Sequence, residues 1–118
     1  MIDDLQSLEV VERLFPLILS GEKTSTIRWN ETIIVLGPMR YICRDKQNQT
    51  IIVNVLRCSD MPLSEVAKYL GQTKKWSALI LLKGMREHYP KIELSDSVQV
   101  IEHSPPKKFI VPGSRLGY

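Results

Sequence analysis

Residues 17–28 read Leu-Ile-Leu-Ser-Gly-Glu-Lys-Thr-Ser-Thr-Ile-Arg, and this stretch decides the fold. An apolar helix end, a glycine and an alternating strand follow one another in it without a gap. Gly21 can adopt the left-handed conformation that ends a helix. The alternation at 24–28 is typical of a strand with two different faces. The stretch therefore predicts a helix joined to a strand through a tight turn.

The strand at 24–28 also carries the side chains that indicate a binding site. Thr24, Thr26 and Arg28 share one of its faces, because successive side chains of a strand point to opposite sides. The ammonium of Lys23 stands at the entrance of the strand. Two hydroxyls, a guanidinium and an ammonium suit a phosphate, a carboxylate or the edge of a nucleobase. Each also has a structural interpretation, since threonine favours strands and a lysine after a helix end is favoured by the helix dipole.

Hydrophobic patterning places the other elements around this stretch. The predicted strands lie at 8–11, 24–28, 33–36, 39–43, 51–56 and 98–102, and the predicted helices at 12–20, about 60–70 and 77–88. Asp60 and Pro62 stand at the predicted start of the second helix, which Gly71 ends. The polar run at 44–49 predicts a hairpin loop.

The segment from Gly21 to Arg28 resembles the Gly-x-Lys-x-x-x-x-Arg signature of the ASCH family, small domains related to the PUA-like RNA-binding barrels. Gly37 is similar to the family's glycine turn before a core strand. Tyr89-Pro90, followed by the strand at 98–101, is similar to its last helix, turn and closing strand. The resemblance covers about residues 8 to 102.

This resemblance implies an α+β fold, a PUA-like mixed β-barrel of about five or six strands with three flanking helices. We expect one domain at 1–103, since 118 residues suit a single core. The tail at 104–118 contains three prolines and two glycines, so we expect it to pack on the surface or to be partly mobile.

Composition indicates a soluble globular protein, with 43% hydrophobic and 25% charged residues. No apolar run approaches the roughly 20 residues that cross a bilayer, so we expect no membrane partner and a cytoplasmic location. The net charge of +3 permits nucleic-acid binding without demonstrating it. Cys43 and Cys58 sit in apolar runs without metal-ligand spacing, so we expect buried reduced thiols and neither a metal nor a cofactor.

The candidate binding residues centre on the signature and on one later segment. Arg28 serves either a ligand or a carboxylate of the same domain, such as Glu31 or Glu102. The segment at 74–76 joins two lysines to a tryptophan, as in sites where bases stack while ammonium groups hold phosphates, or else leads into a helix. The full predicted set is Gly21, Lys23, Thr24, Thr26, Arg28, Trp29, Lys74, Lys75 and Trp76.

The sequence predicts an RNA- or nucleotide-binding protein with a basic cleft around the signature, between its strand and the two later helices. A hydrolase is a second interpretation, because some ASCH proteins remove the acyl group from acetylated cytidine using a Lys, a Thr three residues later and a Glu. Lys23 and Thr26 match the first two. The matching segment, 71–76, lacks a Glu, which leaves Glu65 or Glu31 as the acidic candidate. A ribonuclease and a non-catalytic protein-interaction module are also compatible with the sequence.

Overall fold

The computed structural model describes residues 5–106, which form five strands and three helices. The strands are β1 (Ser7–Val10), β2 (Ser25–Arg28), β3 (Gly37–Cys43), β4 (Thr50–Pro62) and β5 (Ser97–His103). The helices are α1 (Phe15–Ser20), which a 3-10 turn at Glu12–Leu14 precedes, α2 (Leu63–Tyr69) and α3 (Ala78–Arg86).

The strands make one mixed sheet in the order β1-β3-β4-β5-β2. β1 runs parallel to β3, with Leu8 opposite Tyr41, and β2 runs antiparallel to β5, with Thr26 opposite Ile101. Five strands and three helices confirm the predicted α+β, PUA-like fold.

The predicted helix-to-strand turn is confirmed at Gly21, whose φ is +87°. Its amide donates to the carbonyl of Ile18 at 3.1 Å, and the amide of Lys23 donates to that of Leu17 at 2.9 Å. These bonds satisfy carbonyls that the end of α1 would otherwise leave open. Pro16 lies in the first turn of α1, where no intrahelical bond needs its missing N–H.

One predicted strand is absent, and the predicted start of the second helix is wrong. Residues 33–36 form no strand: Ile34 is 1% exposed, whereas Ile33 is 68% and Leu36 is 64% exposed. Their apolar composition favours a strand, but Ile34 bonds to a side chain instead of to a ladder. Asp60 lies on β4 and not in a helix, because the strand continues to Pro62 before α2 begins.

The chain divides into two compact units. Within the described residues, unit 1 contains 5–24, 37–54 and 103–106, and unit 2 contains 25–36 and 55–102. Tyr41, Met39 and Ile18 are fully buried in unit 1. The core of unit 2 brings together Leu63, Val66, Met85, Ile92, Val98 and Val100, against which Ile27 and Trp29 pack.

Other predictions meet the structure in part. Cys43 is buried as predicted, whereas Cys58 is only half-buried, and both are free thiols. None of the helices within residues 5–106 has the length and apolar character needed to cross a membrane. Most of the predicted tail, 107–118, lies outside the described residues. A single domain at 1–103 stays a prediction.

Candidate functional site

The last residues of β2 hold a fixed pair of polar side chains. Thr26 and Arg28 lie on one face, as the alternation predicts, and Nε of Arg28 donates to Oγ1 of Thr26 at 3.1 Å. Thr26 is only 6% exposed. Because a buried hydroxyl needs a hydrogen-bond partner, the guanidinium satisfies Thr26 while Thr26 orients the guanidinium.

Glu31 holds the other end of the guanidinium. Nη1 of Arg28 lies 3.5 Å from Oε1 of Glu31, which confirms one of the predicted carboxylate partners. The hydroxyl of Tyr89 donates to Oε2 of the same carboxylate. Burial and this hydrogen bond raise the pKa of Tyr89 to about 12, so the phenol stays protonated and able to donate. Trp29 packs edge-on against Tyr89 at a centroid distance of 6.0 Å.

Beside Arg28 lies a cavity of about 330 Å³, here named the Arg28 cavity. Strands β2, β4 and β5 and the loop after β2 contribute its lining: Arg28, Asn30, Glu31, Ile33, Asp60, Ser97, Val98 and Gln99. Its volume falls near the lower end of the range typical of small-molecule sites. The next residue back along β2, Ile27, points to the opposite face and packs into the core beneath α2 and α3.

Gln99 is a site residue that sequence reasoning missed. It is 7% exposed and lies directly opposite Arg28 in the antiparallel pair. Its Oε1 accepts from the amide of Ile34 at 3.1 Å, and its Nε2 donates to the carbonyl of Ile34 at 2.8 Å. The sequence signal for Gln99 was a polar amide side chain between Val98 and Val100, in a strand that is otherwise typical of a hydrophobic core. Gln99 therefore fixes the loop that carries Glu31.

Lys23 belongs to unit 1, where its charge acts on a buried histidine, His103. Nδ1 of His103 donates to the carbonyl of Ser104 at 2.8 Å, and in the neutral imidazole Nε2 accepts from the hydroxyl of Tyr41, also at 2.8 Å. Burial lowers the pKa of His103 below its usual 6.5; the bond to Ser104 opposes this shift, and the charge of Lys23 adds to it. Burial and the charge of Lys23 both favour the neutral imidazole, as the lowered pKa of His103 shows.

None of the remaining predicted residues lines the Arg28 cavity. Thr24 is exposed, and its carbonyl accepts from the amide of His103 at 2.9 Å. Lys74 and Lys75 are exposed and Trp76 is half-buried, in the loop between α2 and α3. Glu65, the acidic candidate, is exposed on α2. The roles of all these residues stay predictions.

No described group of three or more His, Cys, Asp or Glu residues within 5–106 is placed to hold a metal ion. The Arg28 cavity instead offers guanidinium donors, carboxylate acceptors and one exposed apolar side chain, Ile33. Such a lining suits reversible binding of a polar organic group by hydrogen bonds.

Comparison with solved structures finds this fold in ASCH proteins. Crystal structures of two variants of ZmASCH from Zymomonas mobilis match with a TM-score of 0.63, at 12% and 13% identity. The matches cover 88% and 89% of this chain and 73% of each ZmASCH chain. Protein EF3133 of the DUF984 family, from Enterococcus faecalis V583, matches with a TM-score of 0.59 at 16% identity, over 93% of this chain and 88% of its own.

No protein-family model matches the sequence, and no curated protein does. At 12% to 16% identity the structural likeness concerns the fold and not the activity. The likeness spans most of this chain. The resemblance to ASCH domains, which the signature at 21–28 indicates, is confirmed at the level of architecture: this chain has the fold of the ASCH proteins.

Proposed function

We propose that this chain binds RNA or a nucleotide through its signature residues, 21–28. The proposal rests on the position of Arg28: Thr26 and Glu31 hold its guanidinium at the edge of a cavity. A planar guanidinium is a common partner of bases and phosphates. Nη2 of Arg28 makes no hydrogen bond within the described residues 5–106, so it can donate to a ligand.

Charge elsewhere on the chain supports a polyanionic partner. The net charge is +3 and the pI is near 9.0. Lys74 and Lys75 are exposed beside the half-buried Trp76, which is a suitable combination for phosphates and a stacked base. The ASCH fold, related to PUA-like RNA-binding domains, agrees with this function.

The geometry of Thr26 favours binding over hydrolysis. A nucleophilic hydroxyl must reach the substrate, yet Thr26 is 6% exposed and its oxygen already accepts from Arg28. The segment 71–76 also supplies no carboxylate, and Glu65 is exposed on α2. We therefore assign Thr26 the role of orienting the guanidinium.

The test is the anisotropy of a fluorescent single-stranded RNA of about twelve nucleotides, titrated with the full chain. Contact with three phosphates predicts that affinity falls about 20-fold between about 50 and 200 mM salt, because bound cations release counterions. Lys23→Ala should weaken binding about tenfold, since a hydrogen bond to a charged group contributes about 1.5 kcal/mol or more. The free energy of unfolding of the Lys23→Ala variant should change by less than about 0.5 kcal/mol.

Lys91→Ala is the matched control, because Lys91 is an exposed lysine outside the signature and its loss changes the net charge equally. An RNA affinity that does not change with salt concentration would contradict phosphate contact by the signature. An equal loss of affinity in Lys23→Ala and Lys91→Ala would contradict it as well. Release of acetate from acetylated cytidine by the unmodified chain would show that Thr26 or another group is catalytic.

A further inference from the structure

The Arg28 cavity holds more negative than positive charge. Its lining includes one guanidinium, that of Arg28, and two carboxylates, those of Glu31 and Asp60. A phosphate entering it would meet a formal excess of negative charge, which is unfavourable at short range. The cavity is therefore suited to a group that brings N–H donors, whereas a phosphate requires cations outside it.

Asp60 is the acceptor that remains open in this cavity. Both oxygens of Glu31 are engaged, one by Arg28 and the other by the hydroxyl of Tyr89. Asp60, by contrast, is exposed and makes no hydrogen bond or ion pair within the part of the chain that the structure describes, 5–106. The cavity thus presents one open carboxylate and one open guanidinium nitrogen, Nη2 of Arg28.

We propose that the Arg28 cavity selects guanine among the bases of a bound RNA, an inference that rests on the proposed function. Guanine carries two adjacent N–H donors, N1 and the 2-amino group, beside one acceptor, O6. The carboxylate of Asp60 accepts from both N–H groups, and Nη2 of Arg28 donates to O6. Bases in single-stranded RNA expose these edges to protein side chains.

The other three bases match this set of groups less well. Uracil has a single N–H between two carbonyls, so a carboxylate meets acceptors on either side of it. Adenine and cytosine each offer one exocyclic amino group next to a ring nitrogen that accepts. Guanine alone pairs two neighbouring donors with a two-oxygen carboxylate. Ile33, which is 68% exposed and lines the cavity, supplies an apolar surface for the base plane.

The test compares RNAs of about twelve uridines in which the central residue is guanosine, inosine, adenosine or cytidine. We expect the guanosine RNA to bind about tenfold more tightly than the adenosine RNA, the range that one bidentate base contact gives. Inosine differs from guanosine only in lacking the 2-amino group, so the inosine RNA should lose most of the affinity gain over the adenosine RNA.

Asp60→Asn tests the assigned base contact. The variant should bind the guanosine and adenosine RNAs with equal affinity, because its amide no longer accepts from both N–H groups of guanine. Asp45→Asn is the control, since Asp45 is exposed in the loop before β4 and the substitution removes the same charge. Circular dichroism on heating shows whether each variant is folded.

The outcomes separate the two proposals. Salt-dependent binding with equal affinity for all four RNAs would overturn guanine selection and leave RNA binding intact. A guanosine preference that survives in Asp60→Asn, or that inosine reproduces fully, would overturn the assigned contacts. If no RNA binds in low salt, both proposals fail.

Discussion

Gln99→Met tests whether one buried amide organises the loop beside the candidate site. Methionine is close to glutamine in length and shape, so the substitution removes the polar atoms with little change in packing. Both hydrogen bonds between Gln99 and the main chain of Ile34 are lost. Within residues 5–106, Gln99 supplies the side-chain hydrogen bonds that hold Ile34, the buried residue of this loop.

The expected cost follows from those two bonds. Each contributes about 0.5 to 1.5 kcal/mol net, which gives about 2 kcal/mol for the pair. Ile34 is 1% exposed, so its amide and carbonyl remain poorly hydrated, and desolvation adds about 1 to 2 kcal/mol. We predict that the free energy of unfolding falls by about 3 to 4 kcal/mol, a large part of the stability of a small domain.

Urea denaturation followed by tryptophan fluorescence measures this change as a lower midpoint at an unchanged slope. Gln49→Met makes the same chemical change at an exposed loop position and should shift stability by less than about 0.5 kcal/mol. A similarly small effect of Gln99→Met would refute the argument, because it would mean that water replaces the amide without cost.

Two further predictions concern Gly21 and His103. Gly21→Val should destabilise the chain by about 1 to 3 kcal/mol, since φ at Gly21 is +87°, which a β-branched residue resists. Gly84→Ala should stabilise the chain in the same thermal melts, since Gly84 lies within α3 and an added Cβ there meets no atom within 4 Å. An unchanged melting temperature for Gly21→Val would exclude strain at this turn. The pKa of His103 is lowered in the folded chain, so the unfolded chain takes up the proton first, and stability should fall as the pH drops below about 6.5. His103→Gln should make stability depend less on pH in this range, whereas His88→Gln, at an exposed position, should leave the dependence unchanged. Equal slopes of stability against pH for the two variants would contradict the assignment to His103.

Local chemistry made much of the fold predictable. The turn at Gly21 follows from the freedom of glycine at positive φ, and β2 follows from strict alternation. Helix α3 begins after Ser77, whose hydroxyl accepts from the amide of Ile80, and a serine before an apolar helical pattern predicts such a start. Each of these signals is complete within a few residues of sequence.

The errors arose where a distant partner decides the structure. Residues 33–36 carry strand-forming side chains, but Gln99, 65 residues from Ile34, takes the hydrogen bonds that a ladder would use. Asp60 before Pro62 is typical of a helix start, yet pairing within the sheet extends β4 past it. Asp60 then lines the Arg28 cavity, a role that no local pattern indicates.

The contacts of Arg28 with Thr26 and Glu31 have a thermodynamic consequence for any ligand. An arginine that becomes immobile only on binding loses rotamer freedom, at a cost of about 0.5 to 1.5 kcal/mol. Here two partners fix the guanidinium before a ligand arrives, so this entropy is lost during folding and not during association. The side chain is preorganised, and a ligand encounters a rigid donor whose direction is set. A group that fits this direction binds without rearrangement, while one that must pull Arg28 from Thr26 leaves a buried hydroxyl unsatisfied.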